Sequence, residues 1–191
     1  MSLSSCFAAA HLAVALLQTH ASAAPSTSVA ATAALATPVT AGSATPLAIG
    51  GAAPDFEYRS SDFGWRKLSD VLDQGNVLLV FSDDDATLRT IELSRGQLSE
   101  AGVVPMVITR MDVDATWRAV SRCEVRYSVL SDPAGDVRSR FAALSANSGW
   151  VLVDEHGRVR GFGSDAGRTE DWAALAADAL EGNSAEAVDA P

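Results

Sequence analysis

Two apolar runs, NVLLVFS (76–82) and VVPMVITR (103–110), flank a stretch, TLRTIELSRGQLSEAG (87–102), in which Leu88, Ile91 and Leu98 recur at near-helical spacing. Short continuous apolar runs are expected of strands buried on both faces, and two of them joined through a helix lie side by side in parallel. No other feature constrains the fold as much. A sheet with no wet face needs helices above and below it, which is an α/β architecture. Gly102 ends the helical stretch where a left-handed residue is favoured.

The pattern extends in both directions. FEYRS (56–60) and WRKLSDVL (65–72) read as a short hairpin arm and a helical turn. ATWRAVSRCEV (115–125) reads as an amphipathic helix with Trp117, Val120 and Cys123 inward. YSVLSDPAGDV (127–137) supplies a short strand and a Pro-Ala-Gly turn, and VRSRFAAL (137–144) a helical turn. GWVLVDEHGRVRGFG (149–163) consists of two alternating runs joined at Glu155-His156-Gly157, a hairpin signal. TEDWAALAADALEG (169–182) predicts a helix with Thr169 as N-cap and acids in the first turn. The order is β–α–β–α–β–(α)–β–β–α. A closing antiparallel hairpin followed by a helix makes the central sheet mixed, as in a thioredoxin-like three-layer sandwich and unlike a doubly wound Rossmann sheet.

The charge distribution bounds that domain. No Lys, Arg, Asp or Glu precedes Asp55 in the 191 residues, so all 24 acidic and 14 basic side chains lie in 55–191. Residues 1–23 read as a signal peptide: Cys6–Leu17 is mostly apolar but shorter than the ~20 residues of a membrane span, and Ala21-Ser22-Ala23 fits a small-x-small cleavage site. The positive n-region of such a peptide is missing. Residues 24–47 are Ala/Thr/Ser/Pro-rich and read as a disordered linker. The thioredoxin-like domain is placed at 48–182 and an acidic tail at 183–191. The expected location is therefore exported, periplasmic or secreted, with no membrane span. A net charge of −10 argues against nucleic acid as a partner.

Several stretches occur in the order found in the peroxiredoxins: GGAAPDFEY, DFGWRKLSDVL, NVLLVFS, VITRMDVDATWRAV, YSVLSDPAGDV and GWVLVDEHGRVR. Across roughly Ile49 to Phe162 the chain resembles that family, the alkyl hydroperoxide reductase C/thiol-specific antioxidant branch of the thioredoxin-like fold. The resemblance implies a Pro-x-x-x-Thr-x-x-Cys loop after the central strand, whose Cys attacks peroxide. In that register Asp83 stands at the Pro, Thr87 at the Thr and Thr90 at the Cys, so only Thr87 carries over. The Arg expected before the penultimate strand is missing from SANSGW (145–150). The register puts Cys123 on a packing position of its helix, away from the pocket. The expectation is a family domain without thiol peroxidase chemistry, needing no cofactor. It would act as a binding or scaffold module for an unidentified protein partner or small ligand, with a homodimer the assembly its relatives suggest.

The acidic stretch FSDDDATLRT (81–90) admits other readings. Asp85 or Thr87 would serve as N-cap of the helix over 87–101, where an acid meets the helix dipole favourably. The D-x-D-x-T-L pattern also resembles motif I of the haloacid dehalogenase-type phosphatases. That likeness would make Asp83 the nucleophile, Asp85 the general acid, Thr109 the second-strand hydroxyl, and Mg²⁺ a ligand of Asp83 and Asp85. Against it, the only Lys is Lys67, upstream, and Asp154-Glu155 precede a hairpin turn. Cys123 is the remaining redox candidate, an alternative thiol for an active antioxidant or thiol oxidoreductase. Arg118, Arg122 and Arg126 would lower its pKa if it were exposed, whereas free Cys is among the most buried residue types. With Cys6 in the signal segment, the mature chain holds one thiol and no internal disulfide. His156 has no partner His to make a metal site, and the four Trp form no stacking ladder for bases.

Overall fold

The computed structural model describes residues 14–15, 47–59, 65–141, 148–164 and 171–182. Of the segments read as leader, linker and tail, only Val14–Ala15 and Leu47 fall within them. The strands are β1 (Val14–Ala15), β2 (Glu57–Arg59), β3 (Trp65–Lys67), β4 (Asn76–Phe81), β5 (Val103–Thr109), β6 (Ser128–Ser131), β7 (Gly149–Val153) and β8 (Val159–Gly163). The helices are α1 (Leu68–Leu72), α2 (Asp85–Glu100), α3 (Val113–Cys123), α4 (Asp136–Arg140) and α5 (Trp172–Leu180).

Six strands form one mixed sheet in the order β1-β6-β5-β4-β7-β8, and β2 and β3 form a separate antiparallel pair. The strands β4, β5 and β6 run parallel, while β7 lies antiparallel to β4 and β8 antiparallel to β7. The fold is thus α/β and thioredoxin-like, with a mixed sheet as its middle layer.

Alternation along β4 shows why its whole run must be apolar. Leu78 and Val80 point into one core with Leu88, Ile91 and Leu98 of α2, Val120 of α3 and Trp172 of α5. Val77, Leu79 and Phe81 point the other way, to Leu68 and Val71 of α1, Phe56 and Phe141. All five of these β4 side chains are wholly buried. On the second face Phe141 packs 5.3 Å from Phe81 and edge-on to Phe56 at 6.2 Å, geometries that aromatic quadrupoles favour.

The N-caps of two helices differ from the sequence reading. The N-cap of α2 is Asp84, one residue before the nearer predicted candidate, because the helix already begins at Asp85 and Asp84 is the residue in extended conformation (φ −100, ψ 129). The cap of α5 is Asp171, whose side chain accepts from the Ala174 amide at 2.9 Å; Thr169 lies outside the described residues. In α3 the buried stripe is Thr116, Ala119, Val120 and Cys123, so Trp117, predicted inward, is turned out and 37% exposed.

Candidate functional site

The loop Ser82–Asp84 leaves the carboxyl end of β4, turns on itself through the Asp84 amide donating to Ser82 Oγ at 3.2 Å, and enters α2. Its three consecutive acids have three different partners. Asp83 Oδ1 accepts from the Thr109 hydroxyl at 2.9 Å and from the Arg110 amide at 2.6 Å, and Oδ2 accepts from Arg110 Nε at 3.2 Å. It thereby ties the end of β4 to the end of β5. Burial alone would raise its pKa. The donors on Arg110 and Thr109 outweigh that and hold the carboxyl below its ordinary value. Asp84 caps α2, accepting from the Ala86 amide at 3.2 Å. Asp85 takes a bidentate pair from Arg122 of α3, Nε at 2.7 Å and Nη2 at 2.8 Å.

This arrangement does not favour the phosphatase pair. Asp83 and Asp85 face different elements, β5 and α3, and each is engaged by an Arg. Among the described residues no group of three or more His, Cys, Asp or Glu side chains is placed to hold a metal ion.

Thr87 and Thr90 follow on the first turns of α2. Thr90 Oγ1 donates to the Thr87 carbonyl at 3.0 Å and accepts from the indole N–H of Trp172 at 3.0 Å. Trp172, from α5, is wholly buried. Thr87 is also buried, and its hydroxyl has no hydrogen-bond partner among the described residues. On the other face of the sheet, Arg138 of α4 lies 5.3 Å over the Phe81 ring. Burial pulls its pKa below the usual arginine range, against the attraction of Asp83. Asp132 in the SDPAGD turn, itself buried, collects the amides of Asp136, Val137 and Arg138 and so starts α4. Of the segment expected to carry the family Arg, only Ser148, Gly149 and Trp150 are described.

Cys123 packs in the core formed with α2 and α5 and is 7% exposed. Its sulfur also contacts the acidic loop, donating to the Asp85 carbonyl at 3.8 Å. Arg89, exposed on α2, is held above its ordinary pKa chiefly by a hydrogen bond to Cys123. A packing position and proximity to the loop therefore coincide, which the sequence register kept apart. His156 sits at the hairpin tip, with Nε2 3.9 Å from Glu155. Sequence reasoning did not identify Arg110, Arg122, Arg138 or Trp172 as parts of this region. Each is 27 or more residues from its partner in the loop or on α2 and lacks a local signal.

A family model described as the AhpC/TSA family matches residues 49–162. No curated protein matches the chain. Among solved structures, the peroxidoxin BcpB from Mycobacterium tuberculosis is similar at 20% identity, covering 74% of this chain and 99% of that one, with a TM-score of 0.59. A thiol:disulfide interchange protein from Bacteroides sp. is similar at 16% identity, covering 59% and 79%, with a TM-score of 0.50. A 1-Cys peroxiredoxin from yeast mitochondria is similar at 12% identity, covering 61% and 67%, with a TM-score of 0.50. At these identities the structural likeness speaks for the fold.

Proposed function

The chain belongs to the AhpC/TSA family, and on that premise we propose that it works without the family's thiol peroxidase chemistry, as a binding or scaffold module. The observation that carries this reading is the state of Thr90. The side chain that the family register assigns to the reacting position is an alcohol, held between the Thr87 carbonyl and the Trp172 indole. Peroxide attack needs a thiolate, available near neutral pH because a Cys pKa of ~8.5 can be lowered by donors and cations. An alcohol reaches no comparable acidity without an adjacent base. Here its oxygen donates to a carbonyl, and three carboxylates lie within seven residues upstream. The test is hydroperoxide consumption by the full chain with dithiothreitol as electron donor. No turnover above buffer is expected, and turnover abolished by Cys123→Ser overturns the reading.

That last outcome corresponds to a second reading, favoured by one specific observation. The Cys123 sulfur touches Asp85, at the start of the same helix, and lies beside the Arg89 guanidinium. Under it, Cys123 is the redox thiol of an active oxidoreductase. Its near-complete burial in the core with α2 and α5 leaves a peroxide or a reducing thiol little access to the sulfur, so the first reading stands ahead.

The composition of 1–23 supports export, and amino-terminal sequencing of protein recovered outside the cytoplasm tests for a start at Ala24. No helix among the described residues is long and apolar enough to cross a membrane. A homodimer is proposed on the family likeness alone, and light scattering of the purified chain measures it.

A further inference from the structure

We propose that a cavity at the opposite end of the sheet from the acidic loop binds a small organic acid, one carboxylate carried on an apolar body. The cavity, of about 300 Å³, lies between the carboxyl-terminal half of α2 and the starts of β5 and β6. The acidic loop follows the carboxyl end of β4, whereas the cavity takes Val103 and Pro105 from the amino end of its parallel neighbour β5. The two sites are therefore independent, and this inference does not rest on the reading of Thr90.

Its polar lining is cationic and hydroxylic: Arg95 and Ser99 from α2, Arg126 and Ser128 from the approach to β6. In a chain of net charge −10, two guanidinium groups over one hollow are a local reversal of sign. Glu92 organises them. Its Oε1 accepts from Arg95 Nε at 3.0 Å, and its Oε2 accepts from the Arg126 amide at 2.9 Å. One carboxylate thus fixes both residues while using only Nε of the two guanidinium groups. Among the described residues no partner takes the terminal nitrogens of Arg95 or the Arg126 head, which remain for a ligand. Two guanidinium charges against one carboxylate leave a single positive charge, which suits a monoanion. Arg is the side chain whose planar fork matches a carboxylate.

The rest of the wall is apolar. The Tyr127 hydroxyl is committed to the Leu88 carbonyl at 2.8 Å, so what it contributes to the lining is ring surface. Pro105 and Val103 add to it. The volume is at the small end of ligand pockets, which combine apolar walls with a few polar anchors. The carbonyl end of α2 lies nearby and opposes an anion through its partial negative charge. That effect is weaker than charge-assisted bonds from two guanidinium groups.

The experiment titrates benzoate into isotopically labelled full-length protein and follows the amide resonances of Ser99, Arg126 and Ser128. Saturable shifts at these positions are expected, with a Kd on the order of 1 mM for so small a ligand. Benzamide, the same body without charge, is expected to leave them unmoved. Arg126→Ala is expected to weaken benzoate binding about tenfold or more, and Arg126→Lys less. Arg126 is exposed, and its melting temperature checks that the variant folds. The proposal is overturned if benzoate does not saturate, if benzamide binds equally, or if Arg126→Ala changes nothing. Shifts centred on the start of α2, or binding of inorganic phosphate with no binding of benzoate, overturn it as well.

Discussion

Replacing Asp83 by Ala tests whether the acidic loop is a brace. The carboxylate receives three hydrogen bonds, two from the backbone and side chain of Arg110 and one from the hydroxyl of Thr109. Thr109 is wholly buried, so truncation leaves its hydroxyl without an acceptor at a cost of about 1–3 kcal/mol. The two Arg110 contacts are worth less, because the Asp83 side chain is 33% exposed and water replaces part of what is lost. The sum expected is ~2 kcal/mol, out of the ~5–15 kcal/mol typical of a folded domain. Asp83→Asn keeps an oxygen for Thr109 and the Arg110 amide but loses the charge and the acceptor for the exposed Arg110 Nε, so ~1 kcal/mol or less is expected. Urea titration followed by tryptophan fluorescence measures both.

The pH dependence has a definite sign. The folded-state carboxyl sits below its unfolded value of 3.8, so its contribution is fully present above that pH. It fades as pH falls through the lower folded value. The gap between wild type and Asp83→Asn should therefore be constant from neutrality to about pH 5 and close in stronger acid. An Asp83→Ala variant within about 0.5 kcal/mol of wild type, the ordinary scatter of surface substitutions, refutes the brace. Hydrolysis of p-nitrophenyl phosphate that is sensitive to EDTA and lost in Asp83→Asn would instead make this residue a nucleophile.

Four further outcomes are expected. Glu124 ends α3 in the left-handed region at φ 53, ψ 36, and Glu124→Gly should raise stability by about 0.5–1 kcal/mol in the same urea assay. A Cβ on Gly161 would stand 2.9 Å from Ala179 and 3.2 Å from the Trp150 ring, so Gly161→Ala should force α5 away from β8 and lower stability by about 1–3 kcal/mol. Trp172→Phe removes the indole N–H from Thr90 and leaves a void, for about 2–4 kcal/mol by thermal unfolding. Thr90→Val, which strands only the indole N–H, should cost about 1–2 kcal/mol.

The strands were legible because β4 and β5 are buried on both faces, which leaves an uninterrupted apolar run that polar residues cannot break. The terminal hairpin was legible for a different reason, its alternation on either side of a glycine turn. The caps were not. Asp83, Asp84 and Asp85 are chemically identical, and their division of labour is decided by Arg110 and Arg122, 27 and 37 residues away. Trp117 was misplaced because one position is about a hundred degrees on a helix, and the inward stripe of α3 runs through Thr116 and Val120 instead. The meeting of Cys123 with Asp85, and of Trp172 with Thr90, depends on how α3 and α5 lean on α2, which no local pattern encodes.

β4 takes one neighbour from the residues just ahead, β5, and the other from β7, whose pairing joins Val77 to Val153. A nascent polypeptide that has emerged only as far as Phe141 can complete one flank of this strand and must wait for the other. Throughout that interval a wholly greasy ribbon offers its open side to any passing strand, so release from the ribosome short of the hairpin should yield aggregates rather than a smaller folded unit.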